Sequence, residues 1–202
     1  MFNTEVKNEN EKEIVCRKTC NESRKRNVPC PKCKGYYSKF SIRHHIQKCI
    51  PMKGKRGRIT IQAECRSLEN NIHNKASEVL KRKVFPVLNE DDVTNAIRYD
   101  EAIINYANYL CRKFTSEHHY QQIRANMRAL GRLVLAIKEK HSHINNLSDI
   151  LDPLYIDVIT EGIDKVAGLD PATKLYKSPA TAMLLSAELK KITRNGVYQN
   201  RG

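Results

Sequence analysis

The sequence has no tryptophan, only 4 phenylalanines and no long apolar run. A membrane-spanning helix needs about 20 consecutive apolar residues, so membrane insertion is not expected. The first segment, MFNTEVKNENEKE, is polar where a secretory signal peptide is apolar, which argues against secretion. In the reducing compartment that follows from this, the 7 cysteines are expected to be metal ligands and thiols, not disulfides.

Acidic residues are missing from one long stretch. Residues 23–58 contain 12 Lys or Arg and no Asp or Glu. Residues 1–58 have a net charge of +11, whereas residues 59–202 have a net charge of +3. Solubility alone does not require such a density of one sign, so the stretch indicates a polyanionic partner. DNA is the first expectation and RNA the alternative, since the chain lacks the aromatic-rich strands of common RNA-binding modules.

A cysteine–histidine motif lies inside the acid-free stretch. Two residues separate Cys30 from Cys33, eleven follow, and His45 and Cys49 complete the motif C-x2-C-x11-H-x3-C. Thiolates and imidazole at such spacing are ligands for tetrahedral Zn2+, and four protein ligands leave no open position for catalysis. The predicted role of the zinc is therefore structural.

The residues between the ligands predict the fold around the metal. A Cys-x-x-Cys turn on a short hairpin, followed by a helix over residues 38–47, places His45 and Cys49 one turn apart on one helical face. His44 is an alternative ligand, but Ile42 then lies two residues before the ligand instead of three, which favours His45. The apolar residues expected to form the small core are Val28, Tyr37 and Ile42.

Residues 28–50 resemble the zinc finger of the two-Cys two-His class, in the variant whose last ligand is Cys. The spacing between Cys33 and His45 is one residue shorter than in the common pattern. The resemblance implies a small ββα finger that binds Zn2+ and docks its helix in the DNA major groove. The side chains that it implies to face the bases are Ser38, Ser41 and His44. Those that it implies to approach phosphates are Lys39 and Arg43.

Two basic clusters flank the finger, at residues 24–26 and 53–58. Either is a candidate nuclear localisation signal. The R-G-R sequence at 56–58 could enter a minor groove, but phosphate contact is the safer prediction. The residues predicted to make these contacts are Lys53, Lys55, Arg56 and Arg58. One finger covers only about 3 bp, so sequence specificity requires further contacts or a dimer.

From about residue 68 the apolar residues take helical spacing. The strongest predicted helix covers residues 117–140. Its apolar residues, three and four apart, are Tyr120, Ile123, Met127, Leu130, Val134 and Ile137. Asp152 and Ser178 each precede a proline, a pattern typical of helix starts. We therefore expect a mainly α protein with an all-α domain of five or six helices over residues 68–194. A basic linker is expected at 51–67, and disordered tails at 1–27 and 195–202.

Three arginines lie four apart on the 117–140 helix: Arg124, Arg128 and Arg132. They could contact phosphates, but pairing with acids of neighbouring helices is favoured because the net charge of this half is small. Cys16 and Cys20 form a C-x3-C pair without an obvious second pair and are predicted to be thiols. Helix capping, and not a carboxylate metal site, is the expected role of Asp91, Asp92 and Asp100.

The order of finger, basic linker and helical segments resembles a family of animal proteins derived from mobile elements. The segments that carry this resemblance are MRALGRLVLAI, LDPLYIDVI and YKSPATAMLLSAELKKI. The helical part is also similar to the DNA-clamping region of tyrosine recombinases. The chain has no H-x-x-R motif followed by a tyrosine nucleophile, so the resemblance implies either a fragment or a non-catalytic descendant.

The residues predict binding without catalysis. No nucleophile with a base, carboxylate pair or open metal site has a convincing spacing. We therefore expect a nuclear DNA-binding protein whose helical domain positions, dimerises or recruits a protein partner. The alternative is a nuclear adaptor, in which the finger presents Phe40 and Tyr36 to a protein partner and the basic charge directs nuclear import.

Overall fold

The computed structural model describes residues 27–50, 58–66, 68 and 72–194, with side chains left out at 58–60. Within these residues the protein is mainly α-helical and contains one β-hairpin, which confirms the predicted fold class. The chain divides into two units. We call residues 27–50, 58–66 and 85–87 the metal unit, and residues 72–84 and 88–194 the helical unit. Most of the predicted tails at 1–27 and 195–202, together with Cys16 and Cys20, lies outside the described residues.

A two-stranded antiparallel hairpin begins the metal unit. Strand β1 (Asn27–Pro29) pairs with β2 (Tyr36–Ser38), and Val28 lies opposite Tyr37. The turn between the strands is closed by a hydrogen bond of 2.9 Å from the Cys30 N–H to the Gly35 carbonyl. This turn carries the first cysteine pair, as the motif predicted.

Helix α1 (Ile42–Cys49) follows the hairpin. The predicted start at residue 38 is wrong, because Ser38 pairs within β2 and its carbonyl accepts the Ser41 N–H at 2.9 Å in a turn before the helix. The helix also extends to Cys49, beyond the predicted end at residue 47. The second ligand pair therefore lies wholly on one rigid element.

A second helix, α2 (Arg58–Arg66), lies in the segment for which the sequence predicted a basic linker. Its Ile61 and Cys65 are 2% and 0% exposed. They share one buried cluster with residues of β1 and α1, namely Val28, Ile42 and Ile46. The turn Phe85–Val87 also packs against α2. The segment folds as a helix because these apolar contacts offset the conformational entropy that it loses on becoming ordered.

The helical unit is built around α5. Its α-helices are α3 (Asp92–Arg98), α4 (Glu101–Lys113), α5 (Glu117–Lys138), α6 (Ile156–Ala167) and α7 (Pro179–Arg194). A π-helical turn (Leu80–Val84) precedes them, and two 3-10 turns (Leu147–Ile150 and Pro153–Tyr155) connect α5 to α6. Helix α5 packs against the other four α-helices. The predicted helix at 117–140 is confirmed, and the five α-helices of this unit agree with the predicted five or six.

Two of the aspartates cap helices as predicted. Asp91 accepts the Thr94 N–H at 2.9 Å at the start of α3, and Asp100 accepts the Ile103 N–H at 3.0 Å at the start of α4. Asp92 is the first residue of α3. These bonds satisfy N–H groups that a helix start otherwise leaves without acceptors.

Glycine allows two close helix contacts within the helical unit. A Cβ atom at Gly131 of α5 would lie 2.4 Å from Ile97 Cγ2 of α3. A Cβ atom at Gly162 of α6 would lie 2.6 Å from Ile137 Cγ1 of α5. Both separations are far below a van der Waals contact, so side chains larger than hydrogen would push these helices apart.

Glu188 of α7 is 1% exposed, an unusual position for a carboxylate. It accepts hydrogen bonds from the hydroxyl of Tyr106 on α4 and from Asn126 Nδ2 on α5, the latter at 3.0 Å. Lys191 Nζ contacts its other oxygen at 2.6 Å. A buried charge needs such partners because its desolvation is costly. The carboxylate therefore joins three helices in the core.

The arginines of α5 are engaged differently from one another. Arg128 forms a bidentate pair with Asp91, at 3.0 and 2.6 Å, which confirms the predicted pairing for this residue. Arg124 donates to the Lys83 carbonyl at 3.2 Å, and Arg132 is exposed.

Among the described helices, none combines the length and apolar character that crossing a bilayer requires.

Candidate metal centre

Cys30, Cys33, His45 and Cys49 converge at one end of the metal unit. The hairpin turn supplies the first two and α1 supplies the other two. Their ligand atoms all lie within 4.8 Å of one another. The Sγ atoms of Cys30 and Cys49 are 4.0 Å apart, and Cys33 Sγ is 3.3 Å from His45 Nε2. The structure thus brings together all four ligands predicted from the sequence. His44, the alternative ligand, is exposed and lies outside this group.

These separations match what a tetrahedral metal requires. With Zn–S bonds of about 2.3 Å, two sulfurs in a tetrahedron lie about 3.8 Å apart. The separation of 4.0 Å between Cys30 and Cys49 is close to that value. Three thiols and one imidazole also form a donor set that suits zinc. The group can therefore hold a metal ion, with zinc as the best fit.

Tyr37 of β2 contacts two of the ligands. Its ring stacks on the His45 imidazole, with the centroids 3.7 Å apart and the planes 18° from parallel. Its hydroxyl lies 3.9 Å from Cys33 Sγ. A Cβ atom at Gly35 would lie 3.2 Å from this ring, so glycine in the turn leaves room for it. Tyr37 thus acts as a support that orients ligands from both halves of the site.

Lys32 connects the hairpin turn to the end of α1. Its Nζ donates to the Cys49 carbonyl at 2.8 Å. The last carbonyls of a helix have no partners within the helix and carry partial negative charge, so a lysine is favourable there. This bond joins the segment between Cys30 and Cys33 to the last turn of α1, which carries the fourth ligand.

The ionisation of the ligands also favours a bound cation. Burial lowers the pKa of His45, which favours the neutral imidazole that binds metals. Burial opposes ionisation of Cys33, yet hydrogen bonds with the Gly35 backbone and the Cys30 thiol hold its pKa below the ordinary value. Burial, followed by hydrogen bonding and charge at Cys30, raises the pKa of Cys49. Ionised thiolates that lie this close together repel one another, and a bound divalent cation offsets that repulsion.

Helix α2 closes the core beneath the metal ligands. Ile61 and Cys65 lie in the buried cluster that also contains Cys30 and packs against Cys49. Gln62 Nε2 donates to the Lys39 carbonyl at 3.0 Å, which ties α2 to the turn before α1. Sequence reasoning missed this support. Although Ile61 and Cys65 lie four apart, the apolar residues of 59–65 alternate, so the local pattern gives no clear helix signal.

Two of the residues predicted to contact nucleic acid, Arg43 and His44, lie on α1, and three more, Ser38, Lys39 and Ser41, lie just before it. Lys39, Ser41, Arg43 and His44 are exposed, and Ser38 is half-buried. Gln47 and Lys48 are exposed on α1 as well, although the sequence analysis did not single them out. Lys53, Lys55, Arg56 and the side chain of Arg58 lie outside the described residues.

The two aromatic residues of the adaptor hypothesis differ in exposure. Phe40 is 53% exposed, whereas Tyr36 is 8% exposed. The expectation that the finger presents Tyr36 to a partner is therefore wrong, because this side chain is buried. Phe40 is the large apolar side chain that the finger exposes among its described residues.

Comparison with known proteins assigns no family. No protein-family model, no curated protein and no solved structure matches the chain significantly. The assignment of a candidate metal site therefore rests on the geometry of the Cys3His group, whose residues lie on a β-hairpin and the helix that follows it. The resemblances to mobile-element proteins and to tyrosine recombinases stay expectations from the sequence.

Proposed function

We propose that the protein binds one Zn2+ through Cys30, Cys33, His45 and Cys49 and uses the zinc-closed finger to bind duplex DNA in the nucleus. The observation that carries the proposal is the division of α1 into two faces. One face holds the ligands and the core residues, and the other is exposed and basic. The exposed residues on and just before α1 include Lys39, Arg43, His44, Gln47 and Lys48.

The electrostatics of the segment support this proposal. Positions 23–58 contain no acidic residue, so no carboxylate of this segment offsets the charge of Lys39, Arg43 and Lys48. Phosphates attract such a surface and fix the protein on a duplex, whatever the sequence. The basic segment 53–58 follows α1 directly and would extend the same contact. Residues 24–26 and 53–58 are also the proposed signals for nuclear import.

The proposed function is non-catalytic. Four protein ligands complete a tetrahedral shell and leave the metal no position for a substrate or a reactive water. In the helical unit, the buried or half-buried carboxylates of Asp91, Asp100 and Glu188 accept hydrogen bonds from other elements. We propose that this unit positions the finger, dimerises or recruits a protein partner.

Titration of duplex DNA at several salt concentrations tests the proposal. If about five phosphates are neutralised, log K falls with log salt at a slope of about −4 to −5. Replacing Lys39, Arg43 and Lys48 by Ala should make this slope shallower by about one unit for each lost contact. A control variant loses three exposed cations of the helical unit instead, at Arg112, Lys174 and Lys177.

The outcomes separate DNA binding from its alternatives. The finger variant should bind more weakly than the control variant, because only its substitutions alter the proposed contact surface. No measurable duplex binding at about 50 mM salt would overturn the proposal. A chain that bound double-stranded RNA more tightly than duplex DNA would instead favour RNA as the partner. Weak binding that neither triple variant changes would favour the adaptor hypothesis.

A further inference from the structure

Phe40 places an aromatic ring at the edge of the surface proposed to contact DNA. The residue directly precedes Ser41, after which α1 begins, and its side chain is 53% exposed. Phenylalanine buries a large apolar area when it leaves water, so a partner that covered this ring would gain affinity. The neighbouring exposed residues on α1 are polar or basic, which limits the chemistry of that partner.

Hydrogen bonds fix the turn that carries Phe40. Its N–H donates to Ser38 Oγ at 3.4 Å. The Ser41 N–H and Oγ donate to the Ser38 carbonyl at 2.9 and 3.2 Å. Both serine hydroxyls are thus engaged within the turn. Because a phenyl ring is longer than a hydroxymethyl group, Phe40 should reach the base edges before either serine does.

A lysine lies beside the ring. Lys39 Nζ lies 5.3 Å from the centroid of the Phe40 ring, within the range of a cation–π contact. Arg43 lies three residues further along and is exposed. An exposed apolar ring with a lysine against it, in a segment without acids, is poorly suited to a basic or neutral protein surface. It is complementary to a groove whose walls are phosphates and whose floor carries apolar groups.

We propose that Phe40 contacts the C5-methyl group of thymine in the major groove and gives the finger a preference for thymine-containing duplexes. This inference rests on the proposed function. Thymine is the base that carries a methyl group in the major groove, and Phe is among the side chains that contact it. The residues at the start of a recognition helix are those that reach base edges.

Duplexes that differ only by this methyl group test the inference. The probes are poly(dA)·poly(dT) and poly(dA)·poly(dU), which differ at the C5 position of the pyrimidine. The zinc-loaded full chain should bind the thymine duplex about fourfold more tightly for each methyl group that it buries. Phe40→Ala should bind both duplexes equally, whereas Phe40→Leu should retain part of the preference. Zinc content reports whether each variant still folds its finger.

Gln47→Ala is the matched control. Gln47 is exposed on α1, and a hydrogen bond from its amide to the duplex would not involve the thymine methyl group. This variant should bind both duplexes more weakly and keep the preference for thymine. Equal binding of both duplexes by the wild type, or a preference that survives Phe40→Ala, would overturn the inference and leave DNA binding standing. Failure of the wild type to bind either duplex would overturn the proposed function itself. Tighter binding to single-stranded poly(dT) than to the duplex would overturn the groove contact and assign Phe40 to base stacking.

Discussion

The Tyr37 ring lies nearly parallel to the His45 imidazole, with the ring centroids 3.7 Å apart, and so fixes the orientation of one member of the Cys3His group. Tyr37→Ala should weaken zinc binding by about 10-fold to 100-fold, the usual effect of removing a group that orients a ligand. Competition with a zinc chelator measures this change. Tyr37→Phe keeps the ring and loses only the hydroxyl near Cys33, so its affinity should stay close to that of the wild type. Equal affinities for the Ala variant and the wild type would show that the stacking does not position His45.

The adjacent histidines offer a direct test of the ligand set. His45→Gln should lose the bound zinc or bind it much more weakly, because the imidazole is one of four ligands. His44→Gln changes an exposed residue and should retain one zinc per chain. Elemental analysis of both purified variants measures the zinc bound per chain and so decides whether His44 or His45 is the ligand. Full zinc in His45→Gln together with its loss in His44→Gln would reverse the assignment.

Ile61 makes α2 part of the metal unit. Truncating a buried Ile to Ala costs about 2–5 kcal/mol, and folding of a finger is coupled to its metal. Ile61→Ala should therefore weaken zinc binding by about 30-fold or more. Ile144→Ala removes the same atoms from a site 1% exposed in the helical unit and should leave zinc affinity unchanged. Equal zinc affinities for the two variants would contradict a role of α2 in the metal unit.

The ion pair between Asp91 and Arg128 should stabilise the helical unit at neutral pH and lose this effect in acid. Hydrogen bonds from Arg128 hold the pKa of Asp91 at about 2, against an ordinary value of 3.8. A lowered pKa stabilises the folded state above pH 4, and this contribution is lost as the pH falls from about 4 to 2. Because the Asp91 side chain is 38% exposed, solvent screening limits the effect to about 1 kcal/mol.

Asp91→Asn isolates this ion pair, since Asn is an equally good helix cap. Urea unfolding should show a loss of about 1 kcal/mol near pH 7 and almost none near pH 2. Asp157→Asn, in the first turn of α6, should change stability little at either pH. A loss for Asp91→Asn of the same size at both pH values would assign the effect to capping and not to charge.

Local patterns in the sequence predicted the features that depend on neighbouring residues. The spacing of Cys30, Cys33, His45 and Cys49 predicted the metal group because each pair lies within one turn or one helix. The apolar stripe of α5 predicted that helix almost to the residue, since its apolar residues all face the core. Both features follow from the period of the backbone.

The features that the sequence did not predict depend on contacts between residues far apart in the chain. In α2 the apolar residues from Ile59 to Cys65 alternate, a spacing that does not indicate a helix, and only Ile61 and Cys65 are buried among the residues with described side chains. Their burial depends on a finger core formed by residues much earlier in the chain. Likewise, a glutamate on a helix is ordinarily solvated, and the partners of Glu188 lie 82 and 62 residues away.

Glu188 also determines how α7 can dock. A displacement of α7 by one turn, about 5.4 Å, would move its buried apolar residues Leu185, Leu189 and Ile192, which lie three and four residues apart, by roughly their own spacing. It would also remove the carboxylate from Tyr106 and Asn126, leaving a buried hydroxyl and a buried amide without their acceptor. Apolar contacts thus hold the helix against the unit, and the hydrogen bonds of Glu188 favour the register that the structure shows.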